Sequence, residues 1–239
     1  MPEIVYSIDS EVFRLFPDFI RGVLVARDVE NRPSPAELIA LLRREEDNQR
    51  DALLGQEIAD HPCIRNWRDA FRSLGIKPAD FRSSIEAMAR RVAKGNQLPS
   101  INALVDIGNI ISLRYLIPAG GHALDNVESE ITLRPAVGDE IFVPFGSDVA
   151  EHPEPDEIIF AEGSAVLTRR WVWRQSNHTL TEMGTNFIEF NLDGLHPVDE
   201  SVIRRAGDDL AELVKRFCGG STTLFLLSIQ NQSIVIERN

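Results

Sequence analysis

The chain has 239 residues, 43% hydrophobic and 26% charged, with 25 Lys and Arg against 37 Asp and Glu for a formal net charge of −12. A chain of this size buries a core without disulfides or metals, and its composition excludes long disorder and fibrous classes. The acidic balance excludes a nonspecific coat of nucleic-acid contacts, which draws on clustered Lys and Arg, and no apolar run reaches the roughly 20 residues of a membrane-crossing helix.

The N-terminus, Met1-Pro2-Glu3-Ile4-Val5, carries no basic leader or apolar signal core, so a cytoplasmic location is expected, with no membrane partner. Cys63 and Cys218 are far apart and read as reduced, packed thiols. A local basic patch is open if Arg82, Arg90, Arg91 and Lys94 share a face with Arg169, Arg170 and Arg174; the alternative is ordinary solvated surface.

Alternating Ile4, Tyr6 and Ile8, then the apolar run Phe19 to Ala26, predict two strands flanking a turn at Phe16-Pro17. Ser34-Pro35-Ala36-Glu37 reads as an N-cap, a first-turn proline and an acidic first turn before Leu38, Leu41 and Leu42. Trp67, Phe71 and Leu74 mark a helix ending at Gly75, and Ser83 to Val92 marks another ending at Lys94-Gly95. Ala103 to Leu116 is predicted helical, with Leu104, Ile107 and Ile111 inward and a stop at Pro118 and Gly120-Gly121.

From Glu130 the period shifts towards two. Ile131 and Leu133, Ile141 and Val143, Ile158 and Phe160, Val166, Trp171 and Trp173, and Phe187 to Phe190 predict strands. Pro197 to Phe217 predicts a closing helix, followed by a hairpin of Thr222 to Ile229 and Ser233 to Glu237. The fold class expected is α+β, with helices packed on a mixed or antiparallel, sandwich-like sheet region, and residues 1–239 forming one module.

Asn102, Asp106 and Asn109, spaced four and three apart, share one helical face. Such a face either hydrogen-bonds a polar ligand or stitches neighbouring loops, and the residues alone favour stitching. No Gly-rich phosphate loop, HExxH, CxxC or Gly-x-Ser-x-Gly elbow is present, and His61, His122, His152, His178 and His196 lack ligand spacing, so no metal or cofactor is expected.

Over roughly residues 65 to 195 the chain resembles the B3/B4 module of the phenylalanyl-tRNA synthetase β subunit and the free-standing proteins that carry it alone. The resemblance rests on Lys77-Pro78, Arg90-Arg91-Val92-Ala93-Lys94-Gly95, Leu98-Pro99, the Asn102, Asp106 and Asn109 helix, and Ser112-Leu113-Arg114 before Pro118. Ile131 to Ala136, Gly138-Asp139-Glu140 and the segment Arg169-Arg170-Trp171-Val172-Trp173-Arg174-Gln175-Ser176 follow in the family's order.

In the synthetase this module hydrolyses tyrosine wrongly attached to the phenylalanine tRNA. The resemblance implies a related pocket here, with His122 in His122-Ala123-Leu124-Asp125 matching the family's pocket histidine. Gln175 falls where the family has an acidic residue, a departure that leaves no general base at that position. His122 and Gln175 are therefore the candidate catalytic groups, and Asn102, Asp106, Asn109, Arg174 and Ser176 the candidate substrate contacts. Trp171 and Trp173 read as the same side of a strand, with Arg174 opposite, meeting a phosphate or carboxylate or else pairing with Asp106 or Glu140. The expected partner is a tRNA or the 3′ end of an aminoacyl-tRNA, or a free amino acid, with no DNA. The implied activity is hydrolysis of mischarged aminoacyl-tRNA in trans; the alternative is a noncatalytic RNA- or amino-acid-binding module.

Overall fold

A computed structural model describes residues 3–128 and 130–238. The chain is α+β, as expected. Two sheets stack face to face, and helices cover the outer face of one of them.

The first strand, β1 (Ile4–Ile8), and the second, β2 (Ile20–Arg27), are separated by a short helix, α1 (Ser10–Leu15), and then by the predicted turn, where the Phe19 amide donates to the Phe16 carbonyl at 3.0 Å; the two strands enter different sheets. Asp9 starts α1 by accepting a hydrogen bond from the Glu11 amide at 2.7 Å. Helix α2 (Ala36–Ala52) begins one residue later than Ser34 would set it, because the Ser34 hydroxyl is turned instead to the Asp106 carboxylate at 2.6 Å. Helices α3 (Pro62–Ser73), α4 (Ser84–Ala93) and α5 (Ala103–Tyr115) follow, the last two capped by Ser83 and Asn102.

The Gly120-Gly121 pair, read as a helix stop, lies inside strand β3 (Ala119–Ala123). Strands β4 (Ile131–Pro135), β5 (Ile158–Glu162) and β6 (Ala165–Arg169), the short β7 (Arg174–Gln175) and β8 (Ile188–Gly194) complete the middle of the chain. Ile141 makes only an isolated bridge to Ala165 rather than a strand. Helix α6 (Glu200–Cys218), capped by Asp199, leads to β9 (Ser221–Leu227) and β10 (Ser233–Ile236).

One sheet has the order β10-β1-β4-β5-β6-β7, mixed because β1 and β4 run parallel while its other pairs are antiparallel. The other, β3-β8-β2-β9, is antiparallel throughout. The predicted C-terminal hairpin is therefore corrected: β9 pairs with β2 and β10 with β1, so the two strands part into different sheets.

Helices α2, α5 and α6 bury Leu38, Ile107, Ile111, Leu210 and Val214 against Leu24, Phe190 and Leu192 on the outer face of the four-stranded sheet. Close approach is set by small residues: a Cβ on Gly22 would stand 2.7 Å from Ile203, and one on Gly207 2.6 Å from Leu224. The inner face meets the six-stranded sheet through Val23, Val25, Tyr6, Ile131, Leu133 and Phe160. Cys218 is buried and Cys63 partly so; burial pushes the Cys218 thiol up to about 11. Among the described residues no helix is long and apolar enough to cross a membrane.

Candidate functional site

Strand β8 sets the site. Its register places Ile188, Phe190 and Leu192 on the helix side and Glu189, Asn191 and Asp193 on the side facing the second sheet. Three polar side chains are thereby turned into the gap between two sheets, where each must find a partner or a neutral form. Across the ladder, β3 pairs His122 with Glu189 and Gly120 with Asn191, while β2 pairs Arg21 with Asp193.

Arg21, 1% exposed, holds Asp193 bidentately at 2.6 and 2.7 Å and donates to the Tyr6 hydroxyl at 3.0 Å; Tyr6 in turn donates to Asn191. Burial works against the Arg21 charge, but Asp193 and its neighbours hold its pKa well above the ordinary value. Burial raises both Asp193 and Glu189, the latter far above the carboxylate range, with the Arg21 charge opposing. Glu189 is fully buried and neither of its oxygens receives a hydrogen bond of normal geometry, so the neutral acid is the form this environment favours.

His122 is also buried. Its Nδ1 lies 2.7 Å from Thr179 Oγ1 and 3.3 Å from the Gln175 amide, its Nε2 3.3 Å from Thr168 Oγ1, and its ring packs edge-on against Phe160. Burial, followed by the Arg21 charge and His178, pushes its pKa down to about 3. The imidazole is neutral at physiological pH and is a weak base. The Gln175 amide donates to the Gly121 carbonyl at 2.9 Å and the Thr179 carbonyl at 3.3 Å, tying β7 to β3 and to the strap 176–187.

These groups lie at one side of a cavity of about 860 Å3, walled by the start of α5, by β3, by the strap and by the β6–β7 connection. Its volume falls within the roughly 300–1,000 Å3 of pockets that bury small organic ligands. Of the residues singled out in the sequence, Asn102, Asn109, His122, Arg174 and Gln175 all line it. Asn102 does so from the cap position, accepting from the Val105 amide and donating to the Thr181 carbonyl at 2.8 Å, which pins the strap to α5.

Asp106 and Ser176 are placed elsewhere. Asp106 lies in the first turn of α5, where its carboxylate accepts from Ser34, Ser100 and the Ile101 amide and is not among the residues lining the cavity. That is the stitching role. Ser176 is buried, bridges to Pro144, and its hydroxyl accepts from the His178 amide.

Trp171 and Trp173 do not form a strand. Arg170 and Trp171 adopt positive φ of 46° and 63°, which turns the chain between β6 and β7. Trp171 packs into an aromatic cluster with Phe16, Phe19 and Trp67, while Trp173 packs on Phe81 and Arg170. Arg174 pairs with neither Asp106 nor Glu140; it stands exposed at the mouth, 4.0 Å from Glu151. Glu140 is instead bonded to Arg134 and the Val137 and Gly138 amides, which overcome its burial and hold it at about 2.

Of the residues considered for a basic patch, Arg90 pairs with Glu86, and Arg169 with Glu157 and Glu151. Sequence reasoning missed Arg21, Asn191 and Asp193, which also line the cavity. The period-two spacing of Glu189, Asn191 and Asp193 was the available signal. Among the described residues no group of three or more His, Cys, Asp or Glu is arranged to hold a metal ion.

A cavity with a buried polar base, held between a sheet edge and a helix start, defines a pocket-bearing α+β domain. The family model for the B3/4 domain matches residues 66–219, and the chain belongs to that family. No curated protein matches it. A similar solved structure is an N-terminal fragment of the phenylalanyl-tRNA synthetase β subunit from Pyrococcus horikoshii, at 8% identity and a TM-score of 0.46. The alignment covers 92% of this chain and 50% of that one, so the chain spans half the length of that structure.

Proposed function

We propose that the chain is an editing-type factor that takes the aminoacyl 3′ end of a mischarged tRNA into this cavity and hydrolyses the ester in trans. The observation that carries the reading is the convergence of Asn102, Asn109, His122, Arg174 and Gln175, from separate segments, on one cavity. Mostly apolar walls such as Leu104, Val105, Phe160 and Phe190 suit a side chain, while Arg21, His122, Asn191 and Asp193 supply polar contacts that only some side chains satisfy.

The chemistry would rest on positioning. His122 is neutral with both ring nitrogens engaged, and the carboxylate of Asp193 is committed to Arg21, so neither is a ready general base. Water attacks the ester carbonyl, the bond from that carbon to the ribose oxygen breaks, and a water proton passes to that leaving oxygen, giving the free ribose hydroxyl and the amino acid, with help from the neighbouring hydroxyl of the sugar. Placing those reactants in line is itself a large part of the barrier.

A noncatalytic binding module is the second reading. It is favoured by Gln175, whose amide is spent on the Gly121 and Thr179 carbonyls. Release of labelled amino acid from a panel of correctly and incorrectly charged tRNAs separates the two. Selective release, reduced in His122→Ala or Arg174→Ala, supports the editing reading; no release from any tRNA by the folded protein supports binding alone.

A further inference from the structure

The mouth of the cavity carries an unusual side chain. Phe145 lines it yet is 65% exposed, and its backbone is anchored: Pro144 bridges to Ser176, and the Phe145 amide donates to the Gln175 carbonyl at 3.3 Å. A ring held this way on the rim packs against no core, and its face is available to a planar partner. Trp173 and Arg174 line the same cavity, and Arg174 immediately precedes the Gln175 whose carbonyl accepts from Phe145. Arg21 and Arg174 are the arginines among the described lining residues; Arg21 is committed to Asp193, whereas Arg174 is exposed and stands 4.0 Å from Glu151, a carboxylate that Arg169 holds at 2.9 Å, so its guanidinium can take an anionic group of the ligand.

The volume points the same way, since about 860 Å3 exceeds what one amino acid fills. An aromatic face next to an accessible arginine is the pairing by which proteins hold single-stranded nucleic acid, the ring stacking a base and the cation meeting the backbone. We propose that Phe145 is the stacking platform for the terminal nucleobase of the substrate, with Arg174 at its phosphate. The inference rests on the editing reading for the identity of the ligand, and it assigns a binding residue that this reading leaves open.

Titration calorimetry with the uncharged RNA trinucleotide cytidylyl-cytidylyl-adenosine, and with the same trinucleotide lacking its terminal base, tests the proposal without choosing an amino acid. Wild type is expected to prefer the complete trinucleotide by roughly 5- to 100-fold. Phe145→Ala should abolish that preference, and Phe145→Trp should retain it. A wild type with no preference, or a preference undiminished in Phe145→Ala, overturns the platform. Should wild type release amino acid from a mischarged tRNA while Phe145→Ala releases it with unchanged KM, the platform falls and the editing reading stands.

Discussion

The side-chain amide of Gln175 donates to the Gly121 carbonyl at 2.9 Å and stands 3.3 Å from Nδ1 of His122, joining β7, the edge strand of one sheet, to β3, the edge strand of the other. An amide suits this place because it faces two carbonyl acceptors, those of Gly121 and Thr179.

Gln175→Glu should therefore lower stability by about 1–3 kcal/mol in urea unfolding at neutral pH, since a carboxylate meets those carbonyls with no proton to give. Its amino acid release should not exceed that of wild type. An undiminished unfolding midpoint, or faster release, would show that the position accepts an acid.

The Arg21–Asp193 pair gives a sharper stability contrast. Asp193→Leu alone strands a buried guanidinium and should cost about 3–5 kcal/mol, whereas the double variant Arg21→Met with Asp193→Leu should recover much of that loss. A double-mutant cycle by denaturant unfolding checks it. Additive single losses would contradict a closed pair.

Part of this site is legible in the sequence and part is not. His122, Gln175 and Arg174 stand out through the order of their motifs, and the helix carrying Asn109 through its apolar period. The polar base is hidden because Glu189, Asn191 and Asp193 alternate with Ile188, Phe190 and Leu192, a pattern that equally describes a strand with one face in water. Only the stacking of the second sheet turns that face inward. The Trp171 and Trp173 alternation misleads for a local reason, as positive φ at Arg170 and Trp171 breaks the extended backbone. The C-terminal strands are individually legible, but which sheet each joins depends on β1 and β2, some 200 residues upstream.

His122 imposes a pH dependence with a definite sign. Its folded pKa of about 3 lies below the ordinary 6.5, so the unfolded chain takes up the proton first. Its contribution is complete above 6.5 and is lost as pH falls from there towards 3, by up to about 1.4 kcal/mol per pH unit. Between pH 6.5 and 5, wild-type stability should fall more steeply than that of His122→Gln. Parallel curves would contradict a buried, neutral imidazole.

Glu189 has the opposite sign. Its folded pKa is raised, so its favourable contribution is present below about 4.5 and is lost as pH rises towards the folded value. Glu189→Gln keeps the shape without the ionisation cost and should raise stability at pH 8 relative to pH 4 when compared with wild type. Loss of stability at both pH values would place an unrecognised partner on the carboxyl.

Gly120 permits the most direct test of the cavity as the site of action. It lies on β3 among the lining residues, in ordinary extended backbone, and a Cβ there meets nothing within 4 Å. Gly120→Leu should fill the cavity without disturbing the fold, which a matched urea midpoint would verify. The deciding measurement is the rate of labelled amino acid release from mischarged tRNA by this variant beside wild type. A fall of at least about tenfold, equivalent to roughly 1.4 kcal/mol of lost transition-state binding, is the predicted result; release at the wild-type rate would contradict the assignment of function to this cavity.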